Sequence, residues 1–166
     1  SPIKCVDFPN LINSGKKIIL AVTSIWGKKK GFYDIIEIAK QLGDNYQVVM
    51  VGTNEQQYRE VSKTKVYPIR HTKNQNQLAQ LYSLADVFIN PTYEDNFPTT
   101  NIEALACGTP IITYKTGGSI EAVNDINGKI VDKGDIGGMV SAIKELCAYP
   151  KQSGLIVADS QGQYTN

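Results

Sequence analysis

The sequence predicts an α/β fold, a Rossmann-like doubly wound parallel sheet with helices on both faces. The run 17–23 (KIILAVT) is almost continuously apolar, as expected of a strand buried on both faces, and 46–52 (YQVVMVG) predicts a second such strand. Longer stretches with apolar residues at helical spacing lie between the apolar runs. Because strand, helix and strand in succession form a parallel crossover unit, this alternation predicts a parallel sheet covered by helices.

The individual elements follow in order along the chain. The segment 32–42 places its apolar residues near helical spacing, and Gly43 follows it as a stop signal. Asn54, Ser119 and Asp135 each stand where a helix would be capped or begun. The helix predicted over 76–85 has an apolar face of four residues: Leu78, Leu81, Tyr82 and Ala85. The predicted strands are 17–23, 46–52, 65–70, 86–90, 110–114 and 128–131, and the predicted helices are 32–42, 55–62, 76–85, 99–107, 119–123 and 136–146.

The length of 166 residues favours one domain with a substantial core. We place that domain at 17–149, with a lead-in at 1–16 and a C-terminal extension at 150–166, where the periodicity is lost. A net charge of +1 argues against nucleic-acid binding, which needs a basic face.

Metal and disulfide chemistry also find little support. The three cysteines, Cys5, Cys107 and Cys147, have no paired spacing, and His71 is the single histidine, so neither a zinc site nor a disulfide framework is indicated. We expect no cofactor and no metal ion. No apolar run approaches membrane-spanning length, and we expect a reducing, cytoplasmic location.

Candidate binding groups fall in loops that follow the predicted strands, where ligands bind in open parallel sheets. In the loop 24–31 (SIWGKKKG), Gly31 permits a tight turn and Lys30 could neutralise a phosphate. The alternative is that the run 28–30 is an ordinary solvated stretch of lysines.

The loop 92–98 (TYEDNFP) offers a second set of donors. Asn96 and Phe97 can present backbone N–H groups, and Pro98 rigidifies the turn before a helix starts. That helix N-terminus is a favourable anion site, to which Thr99 and Thr100 add hydroxyl donors.

Two acidic residues complete the segment 90–121. Glu103 lies one turn into the helix, where it could accept hydrogen bonds from vicinal hydroxyls. The alternative is that it interacts favourably with the helix dipole or is a capping-box partner of Thr99 or Thr100. Asp95 precedes the helix, and a Gly-Gly-Ser turn follows at 117–119. Carboxylates can accept hydrogen bonds from sugar hydroxyls, and backbone N–H groups can bind a diphosphate. Together they indicate a nucleotide-sugar site.

The same segment resembles family 4 (group 1) retaining glycosyltransferases of the GT-B fold. Their E-x7-E motif is matched by Asp95 and Glu103, with aspartate in place of the usual glutamate, and Glu94 stands one position earlier. The strings ALACGTPII, TGGSIEAV and LAQLYSLADVFINPT are also typical of the family. In SIWGKKKG, Lys29 replaces a common arginine, while Lys30 and Gly31 match the family pattern. The resemblance covers about residues 18–146.

The resemblance implies roles for the matching residues. Glu103 would bind the ribose of the nucleotide, and Asp95 or Glu94 would hold the transferred sugar. Lys30, together with Lys29, would neutralise the diphosphate in place of a metal ion. Lys30, Asp95 and Glu103 would thus be the catalytic set.

Other residues would complete the donor site. The backbone of Asn96, Phe97 and Pro98, with Thr99 and Thr100, would line the sugar and the diphosphate. Arg70 and His71 would contact the base, although both are equally compatible with ordinary surface positions.

The resemblance further implies that this chain is one half of an enzyme. Complete members have a second, N-terminal domain that binds the acceptor, and we expect the present domain to be a fragment that binds donor but transfers sugar slowly or not at all. The full-length enzyme could associate peripherally with a membrane, and its role would be in bacterial surface polysaccharide biosynthesis. Two alternatives stay open: a sugar-nucleotide epimerase of the GT-B fold, and a non-catalytic α/β binding module.

Overall fold

A computed structural model describes residues 7–95 and 98–165, with the side chains of 163–165 left out. Its described part contains one sheet of six parallel strands in the order β3-β2-β1-β4-β5-β6. The strands are β1 (Lys17–Val22), β2 (Tyr46–Val51), β3 (Tyr67–Ile69), β4 (Val87–Asn90), β5 (Ile111–Tyr114) and β6 (Gly128–Val131). The predicted fold class is confirmed.

Helices cover both faces of the sheet. They are α1 (Pro9–Ile12), α2 (Phe32–Leu42), α3 (Glu55–Val61), α4 (Gln75–Leu84), α5 (Thr99–Ala106), α6 (Ile136–Cys147) and α7 (Ser153–Thr165). Short 3-10 turns occur at Lys28–Lys30 and Gly117–Ile120. Asn54 and Asp135 cap α3 and α6 as the sequence predicts.

The core consists of two layers, one on each side of the sheet. Ile19 and Ala21 of β1 pack with residues of α2 and α6, whereas Ile18 and Leu20 pack with α4 and α5 on the opposite face. Successive side chains of a strand point to opposite faces, so a strand with both faces covered must be apolar throughout. This explains why the continuous apolar runs predicted the central strands.

The helix predicted over 119–123 differs from the structure. Ser119 does not cap a helix over 119–123; it lies inside the 3-10 turn at Gly117–Ile120, where Thr116 holds the N-cap position. The reason is that its side chain is fully buried and accepts a hydrogen bond from Asn101 Nδ2 at 3.2 Å, so its oxygen is engaged elsewhere.

The segment after α6 forms a helix, α7, which packs against α5. Its buried Ile156 joins the core layer of α4 and α5. Lys151, just before α7, donates from Nζ to the carbonyls of Ser83 and Ala85, both at 2.6 Å, and to Thr109 Oγ1 at 2.9 Å. This lysine satisfies carbonyls at the end of α4, where the helix itself supplies no donors.

Candidate functional site

The strand order places a topological switch point between β1 and β4. These two strands are hydrogen-bonded neighbours, and the chain leaves β1 toward β2 on one side and leaves β4 toward β5 on the other. The β1–α2 loop (residues 23–31) and the β4–α5 loop (residues 91–98) therefore flank one crevice at the carboxyl edge of the sheet. Ligands in open α/β sheets bind in this position.

The β1–α2 loop is held against the β4–α5 loop at Gly31. This glycine has φ +83°, and a Cβ there would stand 2.2 Å from the carbonyl oxygen of Pro91. Close by, the backbone N–H of Tyr93 donates to the carbonyl of Lys29 at 2.8 Å. Buried Trp26 anchors the start of the loop by donating from Nε1 to Val51 O at 2.8 Å. The loop therefore has little freedom, and the position of Lys30 is fixed.

Lys30 and Asp95 face each other across the crevice. Lys30 Nζ lies 3.0 Å from Asp95 Oδ2, and the two side chains are 36% and 16% exposed. The carbonyl of Asp95 accepts the N–H of Gly118 at 3.2 Å, which attaches the Gly117–Ile120 turn to the same loop. A Cβ at Gly117 would come within 2.5 Å of that carbonyl oxygen, so this contact depends on glycine.

Helix α5 points its N-terminus into the crevice. Pro98 occupies the N-cap, and among the described residues no side chain makes a capping hydrogen bond there. The N–H of Asn101 donates to the carbonyl of Pro98 at 3.2 Å. Thr99 and Thr100 carry the two N–H groups that precede it, at a position where the helix dipole would favour an anion. Thr99 and Thr100 lie in this first turn and line the crevice.

Glu103, one turn further along α5, is anchored by a neighbouring helix. Its Oε2 accepts a hydrogen bond from the hydroxyl of Tyr82 on α4 at 2.7 Å. Burial, reinforced by the hydrogen bond to Glu103, raises the pKa of Tyr82 above its ordinary value, so the tyrosine stays a proton donor. The capping-box part of the alternative is wrong, because Pro98 is the N-cap residue, whereas a favourable interaction of Glu103 with the helix dipole stays a prediction.

A buried polar network joins the elements behind the crevice. Asn90 Nδ2 donates to Asn101 Oδ1 at 3.0 Å, and Asn101 Nδ2 donates to the carbonyl of Ser119 at 3.1 Å. Thr113 Oγ1 contacts Ser119 Oγ and donates to the carbonyl of Asn90 at 3.0 Å. These residues tie β4, α5, β5 and the Gly117–Ile120 turn together, which fixes the walls of the crevice.

The crevice is a cleft of about 370 Å³. Six of the predicted site residues line it: Lys30, Asp95, Pro98, Thr99, Thr100 and Glu103. It is also lined by residues to which the sequence analysis gave no individual binding role: Val22, Thr23, Ser24, Trp26, Leu78, Ile89 and Asn90. Ser24 and Trp26 lie in the predicted loop 24–31, and Thr23 and Asn90 stand at the ends of predicted strands.

The remaining predicted residues lie elsewhere. Lys29 and Glu94 form an ion pair at 3.4 Å on the surface, with side chains 78% and 69% exposed. Arg70 and His71 are exposed on the loop after β3 and are not among the residues that line the cleft, so their contact with a base stays a prediction. Asn96 and Phe97 fall outside the described residues.

The described part of the chain holds no group of three or more His, Cys, Asp and Glu side chains arranged for a metal ion. Nor does any helix within that part combine the length and apolar character needed to span a bilayer.

Comparison with known protein families assigns the chain to a family. The model of the family described as glycosyl transferases group 1 matches residues 5–155. The chain belongs to this family. As a member of this family, the chain shares 37% identity over 75 residues with the D-inositol 3-phosphate glycosyltransferase of Mycolicibacterium smegmatis, covering 45% of this chain and 17% of that protein. The Mycobacterium tuberculosis (strain ATCC 25177 / H37Ra) protein of the same name is 38% identical over 88 residues, covering 51% and 18%.

Solved glycosyltransferase structures show the same fold. Sucrose-phosphate synthase from Thermosynechococcus elongatus superposes with a TM-score of 0.79 at 22% identity, over 97% of this chain and 45% of that one. Anabaena HepE, solved in complex with UDP-glucose, gives a TM-score of 0.74 at 17% identity, over 94% and 46%. This group 1 glycosyltransferase chain thus spans about half the length of these solved structures. The predicted family resemblance is confirmed.

Proposed function

We propose that this chain is the donor-binding domain of a retaining glycosyltransferase that transfers a sugar from a UDP- or GDP-sugar to an acceptor. An N-terminal domain, absent from this sequence, would bind the acceptor, and the enzyme would act in the cytoplasm in bacterial surface polysaccharide biosynthesis. One observation carries the proposal: Lys30, Asp95, Glu103 and the N-terminus of α5 all line one cleft at the switch point of the sheet. The UDP-glucose complex of the similarly folded HepE supports a nucleotide sugar as the ligand.

The cleft is suited to a diphosphate leaving group. The Lys30 ammonium and the N-terminus of α5 both favour negative charge. When the bond between sugar and phosphate breaks, negative charge grows on the diphosphate, and preorganised positive groups stabilise that charge more than they stabilise the ground state. This would allow transfer without a metal ion.

The Lys30–Asp95 ion pair suggests how the donor enters. The two charges compensate each other at 3.0 Å. We expect the diphosphate to attract the ammonium away from Asp95. The carboxylate would then be released to accept hydrogen bonds from hydroxyl groups of the sugar, while Glu103 would accept those of the ribose.

Calorimetric titration with UDP, GDP and their sugar conjugates tests the proposal. We expect binding that persists in EDTA and weakens about 10- to 100-fold in Glu103→Ala, the loss expected for hydrogen bonds to a charged group. Glu60→Ala is the matched control, because Glu60 is exposed on α3 and does not line the cleft.

Two results would overturn the proposal. A folded chain that binds no member of a sugar-nucleotide panel would indicate a non-catalytic module. For a protein that includes the acceptor-binding domain, release of free epimerised sugar nucleotide, instead of transfer with the anomeric configuration kept, would indicate an epimerase.

A further inference from the structure

Glu103 is an exposed side chain held by a buried one. Tyr82 is only 2% exposed, yet its hydroxyl reaches Glu103 Oε2 at 2.7 Å. An exposed glutamate normally samples several rotamers, and ordering it costs conformational entropy. A hydrogen bond from a fixed donor to a charged acceptor is strong enough to select one of these rotamers in advance.

Tyr82 is itself held from several sides. Its ring packs against Phe88 of β4, with centroids 5.7 Å apart, and its backbone carbonyl accepts a hydrogen bond from Thr109 Oγ1. Lys151 Nζ contacts the same threonine hydroxyl and the carbonyls of Ser83 and Ala85. The phenol oxygen therefore has a fixed position relative to α5, which is what a positioning residue requires.

We propose that Tyr82 is a positioning residue for ligand binding by Glu103. It holds Oε2 and leaves Oε1 to accept hydrogen bonds from the vicinal hydroxyls of a ribose. This inference rests on the proposed function, in which Glu103 binds the ribose. It gives Tyr82 a part in ligand binding, whereas the helical spacing of Tyr82 predicts only a position in the core.

If Tyr82 had a purely structural role, its substitution would affect ligands with and without ribose hydroxyls alike. Phenylalanine would fill nearly the same space against Phe88, and the Glu103 carboxylate would remain solvated because it is exposed. Loss of the hydroxyl should therefore leave the protein folded. A structural effect would weaken every ligand equally, whereas loss of positioning would weaken only ligands that carry the ribose hydroxyls.

The experiment compares UDP and GDP with their 2′-deoxy and 3′-deoxy forms by calorimetry. In the wild type we expect the ribonucleotide to bind about tenfold more tightly than the deoxy form, the ratio typical of hydrogen bonds to a charged group. We expect this ratio to fall to about two- to threefold in Tyr82→Phe, because the Glu103 carboxylate can still bind the ribose but is no longer held in place. In Glu103→Ala we expect a ratio of about one, because the hydrogen bond to the ribose itself is lost.

Tyr114→Phe provides the matched control. Tyr114 is also fully buried, and its hydroxyl donates to a carboxylate, Asp34 Oδ2, at 2.6 Å, but neither residue lines the cleft. This variant should keep the wild-type ratio even if its melting temperature falls. In the Glu103→Ala background, adding Tyr82→Phe should change the ratio no further.

The outcomes separate the two proposals. If the wild type discriminates ribose from deoxyribose and Tyr82→Phe discriminates equally well, the inference about Tyr82 is overturned while the proposed function stands. If the folded wild type binds neither UDP nor GDP, the proposed function fails, and the inference fails with it.

Discussion

Two lysine–carboxylate pairs join the same two loops, and they differ mainly in their surroundings. Lys30 and Asp95 meet at 3.0 Å in the cleft, where the Asp95 side chain is 16% exposed. Lys29 and Glu94, each one residue earlier, meet at 3.4 Å with side chains 78% and 69% exposed. The residue types are almost the same in both pairs.

The comparison teaches that burial, more than charge, distinguishes these two ion pairs. An exposed ion pair contributes about 0–1 kcal/mol, because water screens it and both side chains lose freedom. Charges in a partly enclosed cleft interact more strongly with each other and with a ligand. The backbone path of the two loops decides which lysine enters the cleft, and at Gly31 the two loops approach each other so closely that a Cβ would meet the Pro91 carbonyl.

The largest expected effect comes from changing that path. Gly31→Ala should lower the free energy of unfolding by about 2–4 kcal/mol, because the left-handed backbone strains alanine and the new methyl group meets the Pro91 carbonyl. Urea denaturation measures the change. Gly27→Ala, in the same loop with open space around it, should cost less than about 1 kcal/mol. Equal effects of the two variants would contradict the close approach.

Removal of the cleft lysine should affect binding more than stability. Lys30→Ala should weaken UDP and UDP-sugar binding about 10- to 100-fold, as expected for loss of a charge-assisted hydrogen bond to phosphate. Lys28→Ala serves as the control, since Lys28 is exposed and does not line the cleft. Calorimetry at constant ionic strength checks both, and similar losses in the two variants would show that only net charge matters.

Asp95→Asn should separate the sugar from the diphosphate. It removes the partner of Lys30 and frees the ammonium, so UDP should bind as tightly as in the wild type or more tightly. The UDP-sugar should bind about three- to tenfold more weakly, because an amide accepts hydrogen bonds less strongly than a carboxylate. A parallel loss for UDP and UDP-sugar would be inconsistent with a sugar contact at Asp95.

The smallest effect should come from the surface pair. A double-mutant cycle of Lys29→Ala and Glu94→Ala should give a coupling free energy of about 0.5 kcal/mol or less, declining further in high salt. Urea denaturation of the four proteins measures it. A coupling above about 1 kcal/mol would erase the distinction between the two pairs.

Most of the fold could be predicted from the sequence because its strongest patterns are local. Buried parallel strands must be apolar on both faces, and α2 carries a clear amphipathic repeat that ends at Gly43. Helix α7 escaped prediction because its polar residues and two glycines weaken its apolar pattern, and contact with α5 stabilises it instead. In α7, tertiary packing outweighs the weak helix propensity of the sequence.

The site was partly predictable for a related reason. Lys30, Asp95 and Glu103 could be predicted to lie together, and they line one cleft, because they follow strands whose carboxyl ends share one edge of the sheet. The anchoring of Glu103 by Tyr82 could not, because helical spacing places that tyrosine in the core without showing where its hydroxyl points. The polar network around Asn101 likewise depends on three-dimensional pairing that local spacing does not encode.

Three oxygens surround the Lys151 ammonium, so the chemical reactivity of this amine should show whether the C-terminal helix is packed in place. Reagents that acylate amines need an unengaged nitrogen, so they should label exposed lysines such as Lys133 well before Lys151. Labelling of Lys151 would then require the C-terminal segment to detach from the rest of the protein. The rate of labelling, followed by mass spectrometry of the intact protein, would report how often this local opening occurs.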